Sequence, residues 1–307
     1  MDLGSSAGGL PPDEVCQDAD TILDHTQAVV RRFHDPGPGS MLRIAIAPCS
    51  PFSATQRLME DSANLARALG VRLHTHIAET LDEAAFCQER FGVRPVELLA
   101  GWGWLGPDVW LAHCVHLAEK DIRRIADTGT GVAWCPSSNL RLGSGIAPAR
   151  ALLDESATVG LGVDGSASND SGNLLAEARQ GMLVSRAGGD PGAMTAREAL
   201  RVATRGGAAC LGWDDLGSLE PGKRADLVIF DLDLPEWRPL LDPVNTLVYS
   251  ASGASVRTVM VDGRLLLDDR RVTMVDELEV LTRVERLARP YHARAGLTAR
   301  PKWPVIA

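Results

Sequence analysis

The sequence predicts an α/β fold, a parallel sheet with crossover helices, followed by a small antiparallel β unit. Three observations point there. Five short runs rich in β-formers alternate with helix-periodic stretches over roughly the first 190 residues, the pattern of a parallel sheet. Several of those runs stop at residues able to do chemistry, His76, His113 and Asp164. Beyond Thr195 the pattern changes, and the segments 256–261 and 264–267 flank Asp262-Gly263, a tight hairpin turn.

Residues 1–12 are rich in Gly, Ser and Pro and read as a loop. From Asp13 to about His34, Val15, Ile22, Leu23, Ala28, Val29 and Phe33 recur at helical spacing, and 42–47 is a strand closed by Pro48. The couplet then repeats. A helix from Ser53 to Leu69 stops at Gly70 and leads into a strand over 71–77. Helical pattern fills 79–104, followed by a strand at 109–113, a helix at 119–127 and a strand at 131–134. A short helix at 147–153, a strand at 158–163 and a helix at 174–185 complete this part. A helix over 196–211 leads to a turn and strand through Asp231, the hairpin, a closing helix at 277–288 and, after Pro290, an extended surface strap. The expected domains are 1–212 and 213–307.

A chain of 307 residues can bury a sizeable core, and 45% hydrophobic with 23% charged residues is a globular composition. The formal net charge of -9 lacks the Lys and Arg surplus that covers phosphates, so a small molecule is the expected partner rather than nucleic acid. No apolar run approaches the roughly 20 residues that span a bilayer. No membrane partner is expected, and the N-terminus has neither a basic region nor an apolar core, so the expected location is the cytoplasm. Six scattered cysteines without Cys-x-x-Cys spacing read as reduced thiols.

The stretch His74-Thr75-His76-Ile77-Ala78-Glu79 puts two imidazoles and a carboxylate where a strand stops. In parallel α/β folds function collects at the carboxyl ends of strands, where His76, His113, Asp164, Cys49 and Asn139 all fall. Metal-assisted hydrolysis uses such a set: imidazoles and a carboxylate suit zinc, which lowers the pKa of bound water to about 7. A second carboxylate then carries protons to the leaving group, and Glu79 stands just beyond His76 for that task. His74 shares a face with His76 and is either half of a zinc pair or a packing residue one layer lower. Isolated His25, His34 and His292 read as ordinary core or surface residues, and Cys114 and Cys135 as small buried hydrophobes.

Taken together, His76-Ile77-Ala78-Glu79, His113 in Ala-His-Cys-Val-His-Leu, Cys135 to Ile146 and Asp164 to Asp170 resemble the zinc-dependent aminohydrolases of the amidohydrolase superfamily. Leu10-Pro11-Pro12, Ala47 to Ser53 and Gly165 to Asp170 are most similar to the 8-oxoguanine deaminases, with the hydroxyatrazine ethylaminohydrolases close by. The resemblance implies a (β/α)8 TIM-type barrel with a β-sandwich built from both chain ends. Only strands 4–8 are found here, so a partial barrel is expected, with strands 1–3 and their His-x-His ligands missing. Carried over by motif, His76 resembles a zinc ligand, Glu79 the proton shuttle, His113 the histidine that orients water and substrate, and Asp164 the aspartate that adjoins metal and takes the water's proton. Trp134 stands where the family usually has His, and Cys49, Trp134 and Asn139 are the expected substrate wall.

The expected function is hydrolytic deamination of an oxidised purine, 8-oxoguanine to urate and ammonia, or of a similar heterocycle. A hydroxyatrazine-type s-triazine aminohydrolase and a truncated, incompetent amidohydrolase are the alternatives. One divalent ion is expected, zinc or else iron. With strands missing, weak zinc retention and little turnover are expected of the chain, and unpaired barrel edges predict a homo-oligomer.

Overall fold

The β-rich runs become five parallel strands, β1 (Ala45–Ile46), β2 (Arg72–Ile77), β3 (Val109–His113), β4 (Gly131–Trp134) and β5 (Thr158–Leu161), ordered β1-β2-β3-β4-β5 in one sheet. The computed structural model of the chain describes residues 1–296. Sequential strands are neighbours and helices connect them: α1 (Ala19–Phe33), α2 (Gln56–Leu69), α3 (Leu81–Phe91), α4 (Pro95–Gly101), α5 (Glu119–Asp127), α6 (Pro136–Arg141), α7 (Ala149–Asp154) and α8 (Leu174–Ser185).

Local chemistry sets the boundaries. Asp18 accepts the Thr21 N–H and starts α1 later than the apolar spacing predicts, leaving Asp13–Val15 as a single 3-10 turn. The 79–104 stretch divides in two, because Gly92 (φ 72°) ends α3 and Pro95 opens α4. β1 is shorter than expected. Helix α6 was hidden by the run Cys-Pro-Ser-Ser-Asn, which reads as loop.

Register fixes which side chains share a face. Pairing runs His76, Ala112, Ala133, Gly160 along one row and His74, Trp110, Gly131, Thr158 along the row below. The opposite face carries Leu73, Thr75, Ile77, Leu111, Val132 and Val159 into a core with Leu58, Met59, Leu99 and Ile125. Each such aliphatic side chain stabilises the fold by roughly 1.5–3 kcal/mol.

The expected 196–211 helix is present as α9 (Ala196–Arg201), a π-helical turn (Val202–Gly206) and α10 (Gly207–Leu211). It approaches both rows closely: a Cβ on Gly160, in the His76 row, would lie 2.8 Å from the Gly207 Cα, and one on Gly131, in the row below, 3.1 Å from the Cys210 Sγ. It therefore covers the β4 and β5 part of the face that carries His76.

The chain divides into two compact units, Met1–Arg224 with Asp233–Gly253, and Ala225–Leu232 with the chain from Ala254 on. The expected division at 212/213 is corrected by two sets of contacts. Arg224 binds the Ser40 carbonyl at 2.8 Å, and Arg179 binds the Val248 and Ala251 carbonyls at 2.9 and 2.6 Å, so both later segments belong to the first unit. The second of these segments contains an unforeseen helix, α11 (Pro243–Tyr249).

In the second unit β6 (Leu227–Phe230), β7 (Val256–Val261), β8 (Arg264–Asp268) and β9 (Arg271–Val272) form an antiparallel sheet, with the β7–β8 turn at Asp262-Gly263 as expected. Helix α12 (Glu277–Arg294) runs through Pro290, which corrects the expected strap. On an exposed helix the carbonyl that Pro290 leaves unpaired is open to water. The rest of the expected strap lies outside the described residues. No helix among the described residues is long and apolar enough to cross a membrane, and all six cysteines are free thiols.

Candidate active site

The carboxyl ends of β2, β3 and β5 bring His76, His113 and Asp164 together, with one ligand atom of each within 4.8 Å of the others. His76 arrives by simple alternation along β2. His113 does not. It pairs with Ile77, a residue of the opposite face, so a regular strand would turn its ring away from His76. Instead His113 has φ 71° and Cys114 φ 53°, and the ring swings over to stack on His76 with centroids 5.4 Å apart. Ala78 (φ 50°) and Asp164 (φ 63°) are also left-handed. Four non-glycine residues in this sparsely populated region at strand ends mark a strained rim of the kind that clusters at functional sites.

Hydrogen bonds fix the ring nitrogens. The Cys49 carbonyl accepts from His76 Nδ1 at 2.7 Å, which makes Nε2 the ring atom able to meet a cation. Thr75 donates to the Pro48 and Cys49 carbonyls at 2.8 and 3.0 Å and so holds that loop in place. The Cys49 thiol and carbonyl push the His76 imidazole up to about 9 against the effect of burial, so a cation entering here displaces a proton. Asn139 Nδ2 donates to His113 Nδ1 at 2.9 Å, placing the ring proton on Nε2, 3.6 Å from Glu79 Oε2. Burial first, and then the neighbouring His76, push His113 down to about 4.

The two carboxylates differ. Burial raises Glu79, helped by the negative Asp164 and opposed by His76, while Ser144 reaches its Oε1 only at 3.4 Å. Burial acts on Asp164 in the same direction but is outweighed, because Ser138 and Ser168 donate to Oδ2 at 2.5 and 2.7 Å and the Gly165 N–H to Oδ1 at 2.7 Å. Asp164 is thereby lowered. Two carboxyl groups driven apart in this way suit one to donate protons and the other to accept them.

The structure places the remaining expected residues as follows. His74 stacks on Trp110 in the lower row, centroids 5.0 Å apart, with Nδ1 3.2 Å from the Trp110 carbonyl and its pKa pushed down to about 4 by burial. It belongs to the packing. Trp134 is corrected as a substrate wall: it lies on the face opposite His76, is 1% exposed, and packs so closely under Gly181 of α8 that a Cβ there would meet its ring at 2.9 Å. Asn139, 1% exposed, stands under His113 and would reach a substrate only through that ring. Cys49 is half-buried beside His76.

Two buried carboxylates were not singled out from the sequence. Glu83 accepts the Ala78 and Glu79 N–H groups, each at 2.8 Å, and pins the strained turn between ligand and shuttle. Thr80-x-x-Glu83 is a capping-box pattern that could have revealed it, since the Thr80 hydroxyl caps α3 by accepting the Glu83 N–H. Glu177 accepts the Ser137 N–H at 3.0 Å and the Asn169 amide at 2.8 Å, joining the first turn of α6 to the loop that carries Asp164. No local pattern announces it.

A family model described as the amidohydrolase family matches residues 3–266. The 8-oxoguanine deaminase of Pseudomonas aeruginosa is 47% identical over 92% of this chain and 63% of its own length. A 5-methylthioadenosine/S-adenosylhomocysteine deaminase of Pelotomaculum thermopropionicum is 38% identical over 87% of this chain and 61% of its own. Among solved structures, atrazine chlorohydrolase from Arthrobacter aurescens TC1, complexed with zinc, superposes with a TM-score of 0.90 at 37% identity, covering 94% of this chain and 64% of that one. The chain thus spans less than two thirds of the length of these relatives. The ordered motifs, the strand-end site and a match over most of its length agree: the chain belongs to the amidohydrolase family.

Proposed function

We propose that this chain carries the active-site residues of a hydrolytic deaminase acting on an oxidised purine, 8-oxoguanine, to give urate and ammonia. The five parallel strands correspond in this reading to the fourth to eighth strands of an eight-stranded barrel, and the antiparallel sheet to part of a β-sandwich. The observation that supports it most is the pair of carboxylates, Glu79 raised and Asp164 lowered, beside the stacked His76 and His113.

The donor set fits a zinc ion. His76, through Nε2, and Asp164 would hold it, and when bound it supplies the Lewis acidity that makes water a nucleophile at neutral pH. Asp164, kept ionised by its three donors, takes the proton of the attacking water. Glu79, which burial keeps protonated to higher pH, delivers its proton to the ring nitrogen; Asp164 passes the water's proton to the departing amino group, and Glu79 recovers a proton from the new hydroxyl as the carbonyl forms and ammonia leaves. His113 orients water and substrate through its Nε2 proton, and Cys49 borders the substrate.

The test is zinc binding by equilibrium dialysis together with ammonia release from 8-oxoguanine, guanine, isoxanthopterin and hydroxyatrazine. Weak zinc binding, with a slow release from 8-oxoguanine that Glu79→Gln abolishes, is the expected result. The likeness to atrazine chlorohydrolase favours an s-triazine as the second reading, and release from hydroxyatrazine alone would establish it. Zinc binding without turnover of any of the four would overturn deamination and leave an incompetent family member.

A further inference from the structure

Away from the strand-end site, a cavity of about 460 Å³ opens beside the amino ends of β1 and β2. Arg43, Arg72, His34, Trp110 and Trp213 contribute to its lining, which among the described residues contains no Asp or Glu. Two arginines lining one cavity without a carboxylate is unusual, because a half-buried guanidinium is ordinarily paired.

Part of the arrangement is structural. Arg72 Nη2 donates to the Cys210 carbonyl at 2.8 Å and Arg43 Nη1 to the Gly212 carbonyl at 3.4 Å, so both guanidinium groups converge on the C-terminus of α10, where cations are favourable. They are close neighbours there: a Cβ on Gly212 would lie 2.6 Å from Arg72 Nη1. Helix capping uses only one donor on each, however, of the five that a guanidinium carries. The Nε atoms of both Arg43 and Arg72 are buried and have no hydrogen-bond partner among the described residues.

Neighbouring groups do not supply the missing acceptor. Asp215 feels Arg43 but is engaged by Arg224 at 2.7 Å, and Asp108 is engaged by Arg67 at 3.0 Å. The arginines also lie over indole rings, Arg43 at 4.8 Å from the Trp213 centroid and Arg72 at 5.9 Å from that of Trp110, which keeps the planar forks in place. His34 adds another donor. Its Nδ1 accepts the Ile44 N–H at 3.0 Å, so the ring proton is on Nε2.

We propose that this cavity is an oxyanion site, and that it takes a phosphate group, as the free ion or as the phosphoryl end of a small metabolite. Two guanidinium forks and an imidazole N–H offer the donors that a tetrahedral, doubly charged oxyanion accepts from, and two arginine charges with no carboxylate in the lining provide the matching field. The indole faces are already covered by guanidinium groups on one side, so recognition rests on the phosphoryl group and not on stacking of a base.

Calorimetric titration of the 307-residue chain in phosphate-free buffer, at constant ionic strength, tests this with inorganic phosphate and glycerol 3-phosphate as probes. Binding is expected, weakened at least tenfold in both Arg43→Gln and Arg72→Gln and unchanged in Arg123→Gln, an exposed arginine paired with Glu119. Arg43→Lys keeps the charge and the fold but loses the fork, and is expected to weaken binding as well. Tighter binding of glycerol 3-phosphate assigns the site to a phosphorylated metabolite, and equal or tighter binding of inorganic phosphate assigns it to the free ion. Absence of binding by either probe, or affinities in Arg43→Lys and Arg72→Gln equal to that of the unaltered chain, overturns the proposal.

Discussion

Replacing Glu83 by Gln separates what this buried carboxyl does for the fold from what its charge does. Its side chain is 1% exposed and burial pushes its pKa from the usual 4.5 up to about 7, although two backbone N–H groups donate to it. A raised folded-state pKa contributes stability that is fully present below about 4.5 and is lost as pH rises through about 7. Each pH step of one across that window removes roughly 1.4 kcal/mol, about 3 kcal/mol in all. Glutamine cannot titrate, so E83Q lacks this component. It carries instead a fixed cost of about 1–3 kcal/mol, because its amide offers one acceptor oxygen where two N–H groups need one each. Urea unfolding followed by tryptophan fluorescence, with a chelator present, at pH 4.5 to 8 reads both effects. The stability difference between the two proteins should change by about 3 kcal/mol in favour of E83Q from the acid to the alkaline end, closing or reversing the gap. Parallel stability curves would refute the placement of a proton on Glu83.

Three other outcomes follow from the same geometry. Glu79→Gln should reduce ammonia release by about 10²–10⁴-fold while leaving bound zinc unchanged, as measured by dialysis alongside turnover. His74→Phe, which keeps a ring against Trp110, should leave zinc affinity unaltered; a weakening of about tenfold or more would restore His74 as a ligand. Gly181→Ala should destabilise the first unit by about 1–3 kcal/mol in urea, since the added methyl meets the buried Trp134 ring at 2.9 Å.

Where strand-formers were bounded by Gly, Pro or Asp, the sequence was enough to place β2 to β5 and to locate His76, His113 and Asp164 at their ends. Alternation on β2 also foretold that His74 would share a face with His76, and depth within the sheet decided between its two roles. What the sequence could not display was the backbone at the rim. Nothing in Ala112-His113-Cys114 announces two consecutive left-handed residues, because such conformations are imposed by surrounding contacts rather than by local preference. Trp134 was misjudged for a related reason: its motif neighbours serve the site, but register turns its own side chain to the other face. Glu177 acts between segments far apart in the chain, and only tertiary structure reveals such a tie.

The left-handed turn at His113 bears on any attempt to rebuild this chemistry elsewhere. Copying His76, His113 and Asp164 onto ordinary strands would send the His113 imidazole into the apolar layer beneath the sheet, away from its companions. The transferable unit is therefore a piece of main chain, 112 to 114 with the partners that hold it. A scaffold would have to be chosen for its ability to carry that bend before any side chain is placed.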